Sequence, residues 1–86
     1  MKEGKYISIT TAVRYRILQL CGECNITINK LANISAVPPS SVKNILYGKS
    51  QNPKIIAIKQ LCDGLNITLG EFFSTPEFDN LEHEIK

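Results

Sequence analysis

The sequence lacks the features that mark membrane-spanning, exported and disulfide-bonded proteins. Among its 86 residues, no apolar run approaches the roughly 18 residues that a membrane-spanning helix needs. Its start, MKEGKYISITT, contains charges but no apolar stretch of signal-peptide length. The three cysteines are an odd number, which argues against a disulfide framework and for a reducing compartment. We therefore expect one small cytoplasmic domain without a membrane partner.

Groups that could catalyse a reaction or hold a metal are also scarce. The one histidine, His83, lies in an acidic segment where no catalytic triad is expected, and there is no glycine-rich phosphate loop. CGEC, residues 21–24, is a lone CxxC without the second ligand pair of a zinc site. Cys21 and Cys62 stand beside apolar residues and are predicted to be core residues. We expect no enzyme activity, no metal and no cofactor, and a thiol sensor that uses Cys21 and Cys24 remains an alternative.

Acidic residues are absent from the middle of the chain. Residues 35–60 contain four lysines and no carboxylate, whereas residues 61–86 contain six acidic residues and one lysine. A basic middle followed by an acidic end is typical of a face for a polyanion and a tail that repels it or binds a partner. From charge alone, the four lysines could equally belong to the solvent-exposed surface of two helices that bind no polyanion.

Apolar residues recur at helical spacing along most of the chain, which predicts a fold of about five helices. Thr10 or Thr11 is expected to cap the first helix, and Thr27 to cap a short second one. The apolar face of the first helix is predicted to comprise Val13, Ile17, Leu20, Cys21 and Cys24.

The third helix is predicted over residues 39–47. Because proline is tolerated at the first helical position, Pro39 indicates a helix start, and Gly48 can end the helix in a left-handed conformation. Thr68 and Glu71 have the spacing of a capping box, in which each side chain bonds the backbone N–H of the other. Before it, a fourth helix is predicted over residues 54–62 or 54–63, with the inward residues Ile55, Ile58, Leu61, Cys62 and Leu65.

The two ends of the chain are predicted to lie outside the helical unit. Residues 5–9 alternate and are expected to form either an edge strand or an ordered arm on the core. Residues 76–86 are mostly charged, which suits a last helical turn or a frayed end. The predicted organisation is an N-terminal arm (1–11), a helical domain (12–75) and an acidic tail (76–86).

The second helix, a turn of three to four residues and the third helix form a helix-turn-helix. Its spaced small, apolar and turn residues resemble the Cro/phage-repressor (XRE) family, over roughly residues 13–73. The resemblance implies an all-α fold, a compact five-helix bundle of the phage-repressor DNA-binding domain type. The positions that carry it are Thr27, Leu31, Ala32, Ala36, Val37, Val42, Ile45, Gly48, Asn52, Pro53, Leu61, Cys62, Leu65, Thr68 and Leu69.

In that family the third helix lies in the major groove of DNA, with its first residues toward the base edges. Carried onto this sequence, the resemblance implies that Asn44 is the best direct reader, because its amide can pair in two places with adenine. The implied base-contacting residues are Pro39, Ser40, Lys43 and Asn44. The implied backbone-contacting residues are Thr27, Asn29, Ser41, Lys49, Asn52 and Lys54.

Three positions depart from the family pattern. Ile28 stands where the family often has glutamine, so one contact that positions a phosphate is expected to be missing. Cys21 and Leu46 stand where the family often has an arginine and a glutamate that form a buried ion pair. Both residues are apolar here, and replacing a buried ion pair by packed apolar side chains is often neutral or better for stability.

The resemblance implies a sequence-specific, double-stranded DNA-binding transcriptional regulator, repressor-like and of the phage or mobile-element type. Because one short helix reads few bases, we expect two copies on a near-palindromic site, with recognition helices about 34 Å apart. The homodimer is expected to be weak and to be stabilised by DNA. Its contact is predicted to use apolar residues of the acidic tail, namely Phe78, Leu81 and Ile85.

Two other interpretations fit the same residues. The third helix could be an ordinary surface helix of a bundle. The chain could also be an antitoxin-like or adaptor protein with secondary DNA binding, whose tail and phenylalanines hold a protein partner through Phe72, Phe73 and Phe78. Salt separates DNA binding from such a contact, because affinity for DNA falls steeply as the salt concentration rises.

Overall fold

Five α-helices and a short 3₁₀ turn follow one another in the part of the chain that the structure describes. The structure, a computed structural model, describes residues 6–48 and 52–85. Within those residues, β pairing is limited to an isolated bridge, and no helix is long and apolar enough to cross a bilayer. The elements are α1 (Ile9–Cys24), α2 (Ile28–Ser35), α3 (Pro39–Leu46), α4 (Ile55–Leu65), α5 (Leu69–Phe72) and the 3₁₀ turn at Pro76–Asp79.

Two predicted caps hold helix starts in place. At the start of α2, the Thr27 side chain accepts a hydrogen bond from the Lys30 backbone N–H at 3.0 Å. At the start of α5, Thr68 and Glu71 form the predicted capping box, with bonds of 2.8 and 3.0 Å. These bonds satisfy backbone donors that have no partner inside their own helix.

The start of α1 differs from the prediction. Ser8 caps this helix, because its Oγ accepts a hydrogen bond from the Thr11 backbone N–H at 3.1 Å. The predicted cap at Thr10 or Thr11 is therefore wrong, since both residues lie inside the helix. Hydroxyl side chains stand at all three positions, and their spacing alone does not select the first.

The turn between α2 and α3 is short, as a helix-turn-helix requires. It begins with Ala36 in the left-handed region at φ 55°, and the next N–H, that of Val37, bonds the Ala32 carbonyl at 3.1 Å. The Val37 side chain is buried. Pro38 then precedes the first residue of α3, Pro39, so the predicted helix start is confirmed. The five-helix, all-α fold with its helix-turn-helix is confirmed with it.

The core is formed by one apolar cluster that takes side chains from all five helices. Two expected members are absent from it: Cys24 is exposed because α1 ends there, and Ile55, the first residue of α4, is 61% exposed. Cys21 and Leu46 are both buried in the cluster, as expected for an apolar replacement of an ion pair. Its buried members are Val13, Ile17, Leu20, Cys21, Leu31, Ala32, Val37, Val42, Ile45, Leu46, Ile58, Leu61, Cys62 and Phe72.

Two arginines of α1 hold the ends of α3 and α5 against it by hydrogen bonds. Arg14 Nε donates to the Ile45 carbonyl near the end of α3 at 2.9 Å. Arg16 donates from Nε to the Phe72 carbonyl and from Nη2 to the Glu71 carbonyl, both at 2.7 Å. Because the last carbonyls of a helix lack partners within it, each arginine completes a helix end while it fixes that end against α1.

The two ends of the described chain meet beside the core. Ile7 forms a parallel β-bridge with Leu81, and the Glu82 N–H donates to the Ile7 carbonyl at 2.9 Å. Phe78 is half-buried against the core, with its ring centre 4.9 Å from that of Phe73. Phe78 and Leu81, two of the three residues predicted to form the homodimer contact, are therefore half-buried within the chain, and the third, Ile85, is 91% exposed.

Candidate nucleic-acid interface

Polar side chains cover the outward face of α3, while its apolar side chains enter the core. Val42, Ile45 and Leu46 are buried. Ser40, Lys43 and Asn44, three of the four predicted base-contacting residues, are exposed and share one face, since residues three and four apart are neighbours on a helix. An α-helix with its side chains is about 10–12 Å across, so α3 can enter a major groove that is about 12 Å wide.

Pro39 at the start of α3 and Tyr47 just after its end extend this face. Pro39, the remaining predicted base-contacting residue, is exposed at the helix start and carries no backbone N–H. Tyr47, which follows the last helical residue, is 69% exposed. It lies four residues after Lys43 and three after Asn44, so it belongs to the same outward face. Tyr47 was not among the predicted contact residues, although its spacing from Lys43 and Asn44 places it on their face.

A groove beside α3 brings together four of the predicted contact residues. It has a volume of about 250 Å³ and lies between α3, the start of α4 and residues 52–54 before it. Ser41, Asn44, Asn52 and Lys54 all line it. An amide, a hydroxyl and an ammonium group around one groove are donors that suit phosphate oxygens.

Two further predicted backbone contacts lie at the start of α2. Thr27 and Asn29 are exposed there, and a helix N-terminus attracts anions because its first N–H groups point outward. Ile28 is half-buried and packs against the core. Its aliphatic side chain has no donor for a phosphate oxygen. Lys49, the other predicted backbone contact, lies outside the described residues.

Positive charge on this face is not neutralised within the described part of the chain. Lys43 and Lys54 are exposed and form no ion pair with a carboxylate of residues 6–48 or 52–85. Lys59, by contrast, pairs with Asp63 one turn later on α4. Among the described lysines, Lys43 and Lys54 are therefore free to attract a polyanion on or beside α3, and Lys30 on α2 is free as well.

The cysteines do not form a reactive pair. All three are free thiols, and Cys21 and Cys62 are buried while Cys24 is exposed. Burial raises the pKa of the Cys21 thiol, and the neighbouring Cys24 adds to the effect. Burial likewise raises the pKa of the Cys62 thiol. Since the thiolate is the reactive form, these shifts oppose a sensor role for the buried thiols.

The aromatic cluster on which the adaptor interpretation depended is part of the core. Phe72 is fully buried, and its ring centre lies 4.8 Å from that of Phe73. The ring centre of Phe78 lies 6.2 Å from that of Phe72. These rings stabilise the domain by contacting one another. Phe72 is closed to a partner, whereas Phe73 and Phe78 are half-buried where they pack against the core.

Comparisons with known proteins agree with this geometry. Residues 16–77 match the family model of the Cro/C1-type HTH DNA-binding domain. Among solved structures, the one described as the crystal structure of the prophage Lp1 protein 11 is similar, with 27% sequence identity and a TM-score of 0.77. The alignment covers 87% of this chain and 99% of that one. A search of curated proteins finds no significant match.

Proposed function

Because the chain belongs to the family of Cro/C1-type helix-turn-helix DNA-binding domains, we propose that it is a sequence-specific regulator of transcription that binds double-stranded DNA. The observation that carries the proposal is the outward face of α3. Ser40, Lys43 and Asn44 are exposed on it, whereas an ordinary solvated helix of this size would be expected to carry carboxylates as well. The groove lined by Asn52 and Lys54 continues the face toward a DNA backbone.

The regulator is proposed to be repressor-like and of the phage or mobile-element type, and to act in the cytoplasm. The similar solved structure is described as a prophage protein, which supports this origin. Two copies would bind a near-palindromic site with their α3 helices about 34 Å apart, one turn of the duplex. Asn44 would read a base, Ser40 and Lys43 would add contacts, and Pro39 would pack against a thymine methyl group.

Selection of bound sequences from a random pool of duplex DNA is the first experiment. An enriched motif gives the operator and its symmetry. Asn44→Ala should then cost about 1–3 kcal/mol of binding free energy and relax the preference at one base pair. Asn80→Ala removes the same amide from the 3₁₀ region and should change neither. A pool that yields no enriched motif would contradict sequence-specific binding.

Salt dependence separates backbone contacts from base readout. Lys54→Ala should weaken binding to all sequences alike and reduce the slope of log affinity against log salt by about one unit. Lys59→Ala is the matched control, because it removes the same charge from a lysine that already pairs with Asp63. Equal reductions of the slope in both variants would show that Lys54 is not a specific phosphate contact.

A further inference from the structure

Two side-chain groups that recognise a G·C pair are missing from the outward face of α3. An arginine guanidinium pairs with guanine in two places, and a carboxylate accepts from the amino group of cytosine. Residues 35–60, which include α3, contain neither an arginine nor an acidic residue. A G·C pair opposite this helix would therefore find few partners in the major groove.

The arginines of this chain are bonded to other parts of the fold. The sequence contains two, Arg14 and Arg16, and both lie on α1. Arg14 donates from Nε to the Ile45 carbonyl at 2.9 Å. Arg16 donates to the Phe72 carbonyl at 2.7 Å and to Gln19 Oε1 at 3.0 Å. A guanidinium that moved to a base edge would first have to break bonds that complete a helix end.

The groups that recognise an A·T pair are present on the same face. Asn44 is exposed, and its amide can accept from the amino group of adenine while it donates to N7. The exposed ring of Pro39 is apolar, which suits the methyl group of thymine. The hydroxyl groups of Ser40 and Tyr47 either donate or accept, so they select no base pair. On α3, Lys43 is the one side chain that pairs well with guanine.

We propose that the DNA half-site read by α3 consists of A·T pairs, with G·C at no more than one position, opposite Lys43. This inference rests on the proposed function. Asn44 selects an adenine and Pro39 selects a thymine methyl group, both in the major groove. Opposite Asn44, a G·C pair would present the guanine O6 acceptor in place of the adenine amino donor, so the amide would lose one of its two bonds.

Base substitutions in the selected half-site test the proposal without changing the protein. Each A·T pair is replaced in turn by G·C and by inosine·cytosine. Inosine presents the major-groove groups of guanine but lacks its minor-groove amino group, so the pair separates readout in the two grooves. At one A·T pair or more, both replacements should weaken wild-type binding by about 5–150-fold, the effect of losing one bidentate contact. Asn44→Ala should remove the difference at one of these pairs.

Uracil in place of thymine removes a single methyl group and tests Pro39. Each thymine of the half-site is replaced in turn. At one thymine the wild type should lose about fourfold in affinity, the effect of exposing one buried methyl group. Pro39→Ser should show no such loss, because it lacks the apolar ring. Asn44→Ala is the matched control and should still show it.

The outcomes distinguish this inference from the proposed function. A half-site with two or more G·C pairs, inosine·cytosine that binds as tightly as A·T at every position, or uracil without effect at every thymine each overturns the inference and leaves DNA recognition standing. Absence of any selected motif overturns the function, and competition by duplex polymers then decides the inference. Stronger competition by poly(dA-dT) than by poly(dG-dC) and poly(dI-dC) supports it, and any other order overturns it. Unfolding curves confirm that each variant is folded.

Discussion

Adding one methyl group at Gly64 should lower the stability of this protein, although alanine is normally the better residue in a helix. Gly64 lies in the last turn of α4, where α4 packs against α2. A Cβ built there would lie 3.0 Å from both the Cα and the Cβ of Ser35, and closer still to its hydroxyl oxygen. The hydroxyl can rotate away, but the backbone carbon cannot, so the helices would have to separate.

Two opposing effects determine how much Gly64→Ala changes the free energy of unfolding. Replacing glycine by alanine inside a helix favours folding by up to about 1 kcal/mol. Forcing an extra carbon into a well-packed contact costs about 1–3 kcal/mol. Because the contact includes backbone, we take the upper part of that range and expect Gly64→Ala to lower the free energy of unfolding by about 1–2 kcal/mol.

Gly22→Ala provides the matched control. Gly22 lies in α1, and a Cβ built on it meets no described atom within 4 Å. The same substitution should therefore raise the free energy of unfolding by about 0.5–1 kcal/mol. Urea unfolding followed by circular dichroism measures both variants, and equal m-values would show that only stability has changed. In a domain of this size, 1 kcal/mol corresponds to about 4–8 °C in Tm.

A second substitution identifies the contact itself. Ser35→Gly removes the hydroxyl and the Cβ that the new methyl group would meet, so it should offset part of the cost of Gly64→Ala. Residues in direct contact couple by about 0.5–3 kcal/mol in a double-mutant cycle. A Gly64→Ala protein that is as stable as Gly22→Ala, or two substitutions that act additively, would refute the close approach of α2 and α4.

Two further predictions concern single side chains. Alkylation of the native protein near pH 8 should label Cys24 and leave Cys21 and Cys62 unmodified until denaturant is added. Burial raises the pKa of both buried thiols and restricts access to them. Mass spectrometry identifies the labelled cysteines, and labelling of all three at similar rates would contradict the burial. Thr27→Ala and Thr68→Ala should each lower the free energy of unfolding by about 1 kcal/mol, because each removes a helix cap. Only Thr27→Ala should also weaken DNA binding. Equal DNA affinities of the two variants would remove Thr27 from the proposed phosphate contacts.

The sequence predicted the helices well because local chemistry decides them. Thr27 and the Thr68–Glu71 capping box act within one turn, and Pro39 restricts its own backbone. Gly48 has φ 86°, in the left-handed region predicted for a helix stop. Each of these signals depends on neighbours along the chain, so no knowledge of the tertiary structure was needed to interpret them.

Residues whose environment depends on distant parts of the chain were harder to predict. Ile55 fits the apolar period of α4, yet it is the first residue of that helix and stays exposed, while Ile58 and Leu61 are buried. Phe78 and Leu81 fit an exposed amphipathic turn, but Phe73 and Ile7 contact them from elsewhere in the sequence. Periodicity identifies an apolar face, whereas only the tertiary fold decides what covers it.

The orientation of α3 shows how the two kinds of information combine. Cys21 and Leu46 lie in the apolar core, so they contribute to the contact between α1 and α3 by packing. A hydrogen bond is directional, and Arg14 supplies one by donating from Nε to the Ile45 carbonyl at 2.9 Å. The rotation of α3 about its own axis decides whether Ser40, Lys43 and Asn44 face outward together. Burial of Val42, Ile45 and Leu46 on one side of α3 sets that rotation. The bond from Arg14 holds the end of the helix against α1, so the polar face of α3 stays outward.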